Sequence, residues 1–151
     1  MKVIAIDPAT QLGWAYKEKG CKPKYGTESF HNKQWDGAGM RFLKFRNWFE
    51  EILDPSDIVA YEAVEMHSST YAAHQYAGWV SALQAACEHF CVPYTGYPVG
   101  TIKKYWTGKG NAKKGDMILE AQKRGYNPPD DNAADALAIL HLAIEDLRIK
   151  V

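Results

Sequence analysis

The chain has 151 residues, 46% of them apolar, and a formal net charge of zero; such a length buries about two thirds of its unfolded surface around one core, so a single domain over 1–151 is expected. Neutrality argues against a generic polyanion binder, and no run is apolar enough to span a bilayer. Three cysteines, Cys21, Cys87 and Cys91, make no disulfide framework, and with no apolar leader ahead of a cleavage site a reducing cytoplasm is the expected compartment.

Val3-Ile4-Ala5-Ile6 fits a central strand that ends at Asp7 and Pro8. Gly13-Trp14-Ala15-Tyr16 resumes an extended pattern, and 25–30 suits a third strand. Over 37–53, Phe42, Phe45, Phe49 and Ile52 recur at helical spacing, with Asp54-Pro55 closing the helix. A buried-type strand follows at 57–64. The alanine-rich segment 70–90 predicts a helix whose small residues (Ala73, Ala77, Gly78, Ala82, Ala85, Ala86) allow a close neighbour. A strand at 92–97 and helices over 113–124 and 132–147 complete the order. The pattern predicts an α/β fold, a mixed five-stranded sheet flanked by helices, antiparallel at its start and parallel in its additions.

This order places the acids. Asp7 ends the first strand, and Glu62 sits in or at the end of the fourth, beside the first if the crossover is right-handed. Asp131 and Asp135 are four apart at the start of the last helix, hence on one face. Convergent carboxylates are costly unless cations offset them, so the set implies bound metal, and oxygen-only ligands suit Mg2+, with Mn2+ able to substitute. Each acid has a plainer reading. Asp7 before Pro8 can form a turn, and Asp130 or Asp131 after Pro128-Pro129 is a natural N-cap. Glu62 in so apolar a strand, and Asp135 among alanines, are harder to explain structurally.

The window 101–125 holds seven cations (Lys103, Lys104, Lys109, Lys113, Lys114, Lys123, Arg124) against Asp116 and Glu120. It reads either as a solvated surface or as a phosphate-holding strip beside the acids. Within it, Tyr105 and Trp106 could stack on unpaired bases or pack a helix. Cys87 and Cys91 flank His89, which points off their face, so zinc is not expected. Tyr71, Tyr76 and Trp79 suit the core or a subunit interface.

Ile4-Ala5-Ile6-Asp7-Pro8, Ala60-Tyr61-Glu62-Ala63-Val64 and Ala133-Ala134-Asp135-Ala136-Leu137-Ala138-Ile139 resemble, in order and separation, the three acidic motifs of RuvC-type Holliday-junction resolvases. Lys103 and Lys114, eleven apart around Gly108 and Gly110, resemble that family's pair of DNA-binding lysines. The compact length is more similar to a phage or prophage member, which would act in the cytoplasm of a bacterial host. The chain departs from the pattern in two places. Asn132 stands three before Asp135 where some members are acidic, leaving Asp130, Asp131 and Asn132 as alternatives for a fourth ligand. Glu65 stands where members often carry an aromatic or basic group.

The resemblance implies an RNase H-like fold, a homodimer, and paired nicks across branched DNA, above all a four-way junction. In that reading Asp7, Glu62, Asp131 and Asp135 hold two Mg2+ ions about 4 Å apart. Lys114 reaches the scissile or adjacent phosphate, and Lys103, Lys104, Lys109 and Lys113 grip DNA backbone. The rival readings are an RNase H-like nuclease acting on RNA–DNA hybrids and a junction-binding protein without catalysis.

Overall fold

A computed structural model describes residues 1–151. Strands β1 (Lys2–Asp7), β2 (Gln11–Glu18), β3 (Lys24–Ser29), β4 (Ile58–Ala63) and β5 (Tyr94–Pro98) form one sheet in the order β3-β2-β1-β4-β5. The pairs β1/β2 and β2/β3 are antiparallel, whereas β1/β4 and β4/β5 are parallel. Five helices complete the chain: α1 (Met40–Ile52), α2 (Thr70–His89), α3 (Val99–Thr107), α4 (Lys114–Lys123) and α5 (Asp131–Asp146). The mixed five-stranded sheet flanked by helices is the expected architecture.

β1 lies at the centre and is covered on both faces, which is why its sequence is continuously apolar rather than alternating. Val3 and Ala5 join a core with Ile102, Met117 and Leu137 of α3, α4 and α5. Ile4 and Ile6 join the opposite core, with Phe45 and Phe49 of α1 and Trp79 and Leu83 of α2. The chain order therefore sorts the helices, two on one face and three on the other.

Two glycines set how closely the layers approach. At Gly78 of α2 a Cβ would stand 2.5 Å from the Phe42 ring of α1, closer than carbon atoms pack, so hydrogen there is what lets the ring in. The small residues of α2 are thus divided: Gly78 receives Phe42 and Ala86 is fully buried, while Ala77, Ser81 and Ala85 remain exposed along one stripe. At Gly13 of β2 a Cβ would overlap the Asn132 carbonyl at the start of α5. That contact brings the last helix down onto the sheet.

Helix α3 falls in the segment 99–107, to which the sequence pattern assigns only a basic window. Gly100 and Thr101 are poor helix formers and hide it; burial of Ile102 and Trp106, one turn apart, decides the conformation. The Trp106 indole donates to the Met117 carbonyl (3.1 Å), and the Arg124 guanidinium covers its ring at 3.9 Å. Trp106 therefore packs the helix and is not presented to bases. Gly108 ends α3 in the left-handed region at φ 84°, a conformation that favours glycine. The cysteines carry no zinc pair: Cys87 is buried, its thiol pushed up to about 12 by that burial, and Cys91 is exposed.

Candidate active site

The pleat and the register together bring the first two acids side by side. Ile6 of β1 lies opposite Tyr61 of β4, so Asp7 and Glu62 are the next residues at the carboxyl ends of adjacent parallel strands, where α/β sheets place their ligands. Side chains alternate along a strand. Asp7 therefore shares the face of Ala5, Glu62 shares that of Ala60, and both face the layer containing α5. Tyr61 faces the other way, into the α1/α2 core.

The start of α5 supplies the other two acids. Asp130 is the N-cap: its Oδ1 accepts from the Ala133 backbone N–H at 2.9 Å, and the Thr27 hydroxyl donates to the same carboxylate at 2.8 and 2.9 Å. Those contacts commit Asp130 to capping the start of the helix. Asp131 follows in the first turn, facing the acids and Lys114, whose Nζ lies 3.7 Å from its Oδ2. Asn132 contributes its backbone carbonyl to the Gly13 contact.

Electrostatically the acids are one cluster. Burial, then the charge of Glu62 and a hydrogen bond with it, then the charges of Asp135 and Asp131, hold the Asp7 carboxyl well above the usual carboxylate range. Burial and the charges of Glu62 and Asp131 push Asp135 up to about 7, with Lys103 and Lys114 pulling the other way. Asp135 Oδ1 is buried without a hydrogen-bond partner. An unpartnered buried oxygen beside other carboxylates is costly, and either a proton or a cation would offset it. The donor set is all oxygen, the chemistry of magnesium or manganese. The side chains do not form a ready-made cage, since no group of three or more His, Cys, Asp or Glu residues stands in a metal-holding arrangement.

The basic window divides by position. Lys103 on α3 and Lys114 at the start of α4 both act on Asp135, so the two lysines eleven apart flank one site. Lys104, Lys109 and Lys113 are exposed on the same segment, and the Lys113 backbone N–H is held by Asp116 at 2.9 Å. Glu65 is exposed and is not among the main causes of the Asp7 or the Asp135 shift.

One participant escapes the sequence pattern, which assigns Tyr76 to the core or an interface. Its hydroxyl donates to the Glu62 carbonyl at 2.8 Å and accepts from the Val64 N–H at 2.9 Å. A single side chain from α2 thus pins the strand end that carries Glu62. The pairing of Glu62 with an aromatic fourteen residues on has no local signature.

No protein-family model and no curated protein matches the chain. Solved structures do. Thermus thermophilus RuvC in complex with a Holliday junction substrate aligns with a TM-score of 0.81 at 25% identity, over 98% of this chain and 95% of that one. The fold is that of RuvC. A second structure of Thermus thermophilus RuvC aligns with a TM-score of 0.74 at 24% identity, over 98% of this chain and 97% of that one. The RuvC (RNase H-like) match covers the sheet, the site and the flanking helices together, so the strands and helix that carry the acids lie within the shared architecture. No helix is long and apolar enough to cross a membrane.

Proposed function

We propose that the chain is a magnesium-dependent, structure-selective endonuclease that resolves four-way and other branched DNA junctions. The supporting observation is the convergence of Asp7, Glu62, Asp131 and Asp135 at the carboxyl ends of β1 and β4, in a fold shared with a RuvC solved on a Holliday junction substrate.

In this reading the four acids hold a pair of divalent ions. When bound, the pair supplies the charge that activates a water and steadies the leaving 3′ oxygen in an in-line displacement. The chain's own residues do the rest. Asp7, buried and opposite Gly13, is the fixed point of the cluster. Glu62 is steadied from behind by Tyr76. Lys114, largely exposed yet within 3.7 Å of Asp131, can meet a phosphate entering the site, and Lys103 supports it from α3. Lys104, Lys109 and Lys113 would hold flanking backbone as point charges.

A four-way junction has two symmetric strands to cut, and one acidic cluster cuts one. The reading therefore includes a homodimer, for which isologous pairing is the simplest arrangement. The small-residue helix α2, with Ala77, Ser81 and Ala85 exposed along one stripe, is the best candidate for its interface. Light scattering at concentrations where junctions are cut should give twice the chain mass.

The deciding experiment incubates an immobile four-way junction and an RNA–DNA hybrid of the same sequence with the protein, in magnesium and then in chelator. Symmetric nicks in the junction, abolished by chelator, are expected. Faster cutting of the hybrid would replace this reading with that of a hybrid-directed nuclease, and tight junction binding with no cutting in any divalent ion would make it a binding protein.

A further inference from the structure

Past Pro8, on the other side of Asp7 from α5, the β1–β2 turn, the start of α1, the segment after β4 and the N-terminal half of α2 line an open groove of about 340 Å³. Arg41 and Gln75 stand in its wall. Arg41 Nη1 donates to Gln75 Oε1 at 2.9 Å, while Arg41 Nε is buried with no partner. No carboxylate lies within ion-pair distance of this guanidinium; the chain's five ion pairs all involve other cations. A half-buried arginine without an anion is an unusual expense for a fold, since desolvating a cation is costly unless something offsets it.

Arg41 and Gln75 make their part of the wall donor-rich. With Gln75 Oε1 engaged by Arg41, what this pair leaves over is donors: the remaining guanidinium N–H groups and the Gln75 amide nitrogen. Their partner must present acceptors. Tyr71, 65% exposed, adds a free aromatic face to the same groove. His67, also in the wall, packs its ring 5.0 Å from that of Tyr76, which in turn holds the Glu62 strand end. The groove is therefore connected to the acidic site through Tyr76.

We propose that this groove binds one nucleotide of the substrate strand beside the phosphate that is cut, with Arg41 and Gln75 donating to its acceptors and Tyr71 stacking on its base. The shared chemistry is an acceptor-rich nucleotide. The acceptors come either from its phosphate or from the edge of its base, as a guanine offers O6 and N7 to arginine. The proposal rests on the junction-nuclease reading above.

The test compares wild type with Arg41→Met and with Tyr71→Ala, whose exposed position leaves folding intact. Affinity for a four-way junction is measured in chelator over a salt series. Cleavage in magnesium is measured on junctions carrying each base in turn at the positions flanking the cut. If the phosphate is held, Arg41→Met flattens the slope of log affinity against log salt by about 0.9 per contact, equally on all sequences. If the base is read, the slope is unchanged and a preference at one flanking position falls about tenfold or more. Tyr71→Ala weakens binding about tenfold in either case, and serves alone should Arg41→Met fail to fold. A folded Arg41→Met and Tyr71→Ala that both match wild type in slope, affinity and preference overturn the groove while wild-type cleavage stands. Absence of junction binding and cleavage by the wild type overturns the parent reading and the groove with it.

Discussion

Gly13 and Asn132 meet backbone against side-chain space: a methyl on Gly13 would overlap the Asn132 carbonyl oxygen. Gly13 is also the cross-strand partner of Asp7. One missing side chain thus determines how far the start of α5, with Asp131 and Asp135, descends toward the buried acid of β1. Relief in Gly13→Ala can come only from moving backbone, because the obstructing atoms are backbone. The variant should lose about 1–3 kcal/mol of stability by overpacking, and cleavage should fall much further than that loss alone explains, since the acids are pushed apart. Thermal unfolding and single-turnover rates check both. A Gly13→Ala protein with wild-type turnover would show that the helix position is not what assembles the site.

The acids should separate binding from chemistry. Asp7→Asn and Glu62→Gln are expected to abolish cleavage while retaining junction affinity, because each removes a candidate ligand and also lessens negative charge beside the phosphate. Asp135→Asn should be equally severe. Asp131→Asn tests the remaining alternative for the fourth position: Asp130 is engaged with Ala133 and Thr27, so a severe loss in Asp131→Asn with near-normal turnover in Asn132→Ala assigns it. Near-wild-type turnover in Asp7→Asn or Glu62→Gln would remove the metal assignment altogether.

The same burial gives the metal-free protein a pH signature. Burial pushes Asp135 from its ordinary value near 3.8 up to about 7, so between those values the native state holds the extra proton and the unfolded state does not. Stability in chelator should therefore decline as pH rises through that window, with Asp7 acting in the same direction. His141, held low by burial, acts oppositely, which is why the comparison should be with Asp135→Asn, where His141 is unchanged. The expected result is a melting temperature that falls from about pH 4 to about pH 7 in wild type, a flatter profile in Asp135→Asn, and recovery of wild type at the upper pH on adding magnesium. A variant as pH-sensitive as wild type would mean that Asp135 carries no such strain.

How much of this could be read from the chain follows from which interactions are local. β1 declares itself as four apolar residues ending in a carboxylate, and α5 as alanines and leucines behind a capping aspartate; both signals are contiguous. Helix α3 does not, because Gly100 and Thr101 disfavour it and what stabilises it is tertiary: burial of Ile102, and of Trp106 against Met117 and Arg124. Asp130 and Asp131 have the same local claim to the cap, and Thr27, more than a hundred residues earlier, separates them. The clamp by Tyr76 and the unpaired Arg41 are likewise long-range facts. The acids were legible through periodicity and spacing; their supports depend on tertiary contacts.

The two lysines at the site provide the sharpest remaining test, because they should differ in kind from the rest of the window. Lys103→Ala and Lys114→Ala each remove one phosphate contact in this reading, so each should flatten the salt dependence of junction affinity by about 0.9 per contact. The exposed Lys104, Lys109 and Lys113 should do no more than that. Lys103 and Lys114 also act on Asp135, and Lys114 stands 3.7 Å from Asp131. Removing Lys114 should therefore depress single-turnover rate at saturating protein as well as affinity, because a cation at the reacting phosphate acts on the chemical step. Lys103→Ala should lie between, its rate falling less than that of Lys114→Ala but more than that of Lys109→Ala. Equal rates in all three variants, with only affinity changed, would reduce both site lysines to backbone grips and leave the chemistry to the acids.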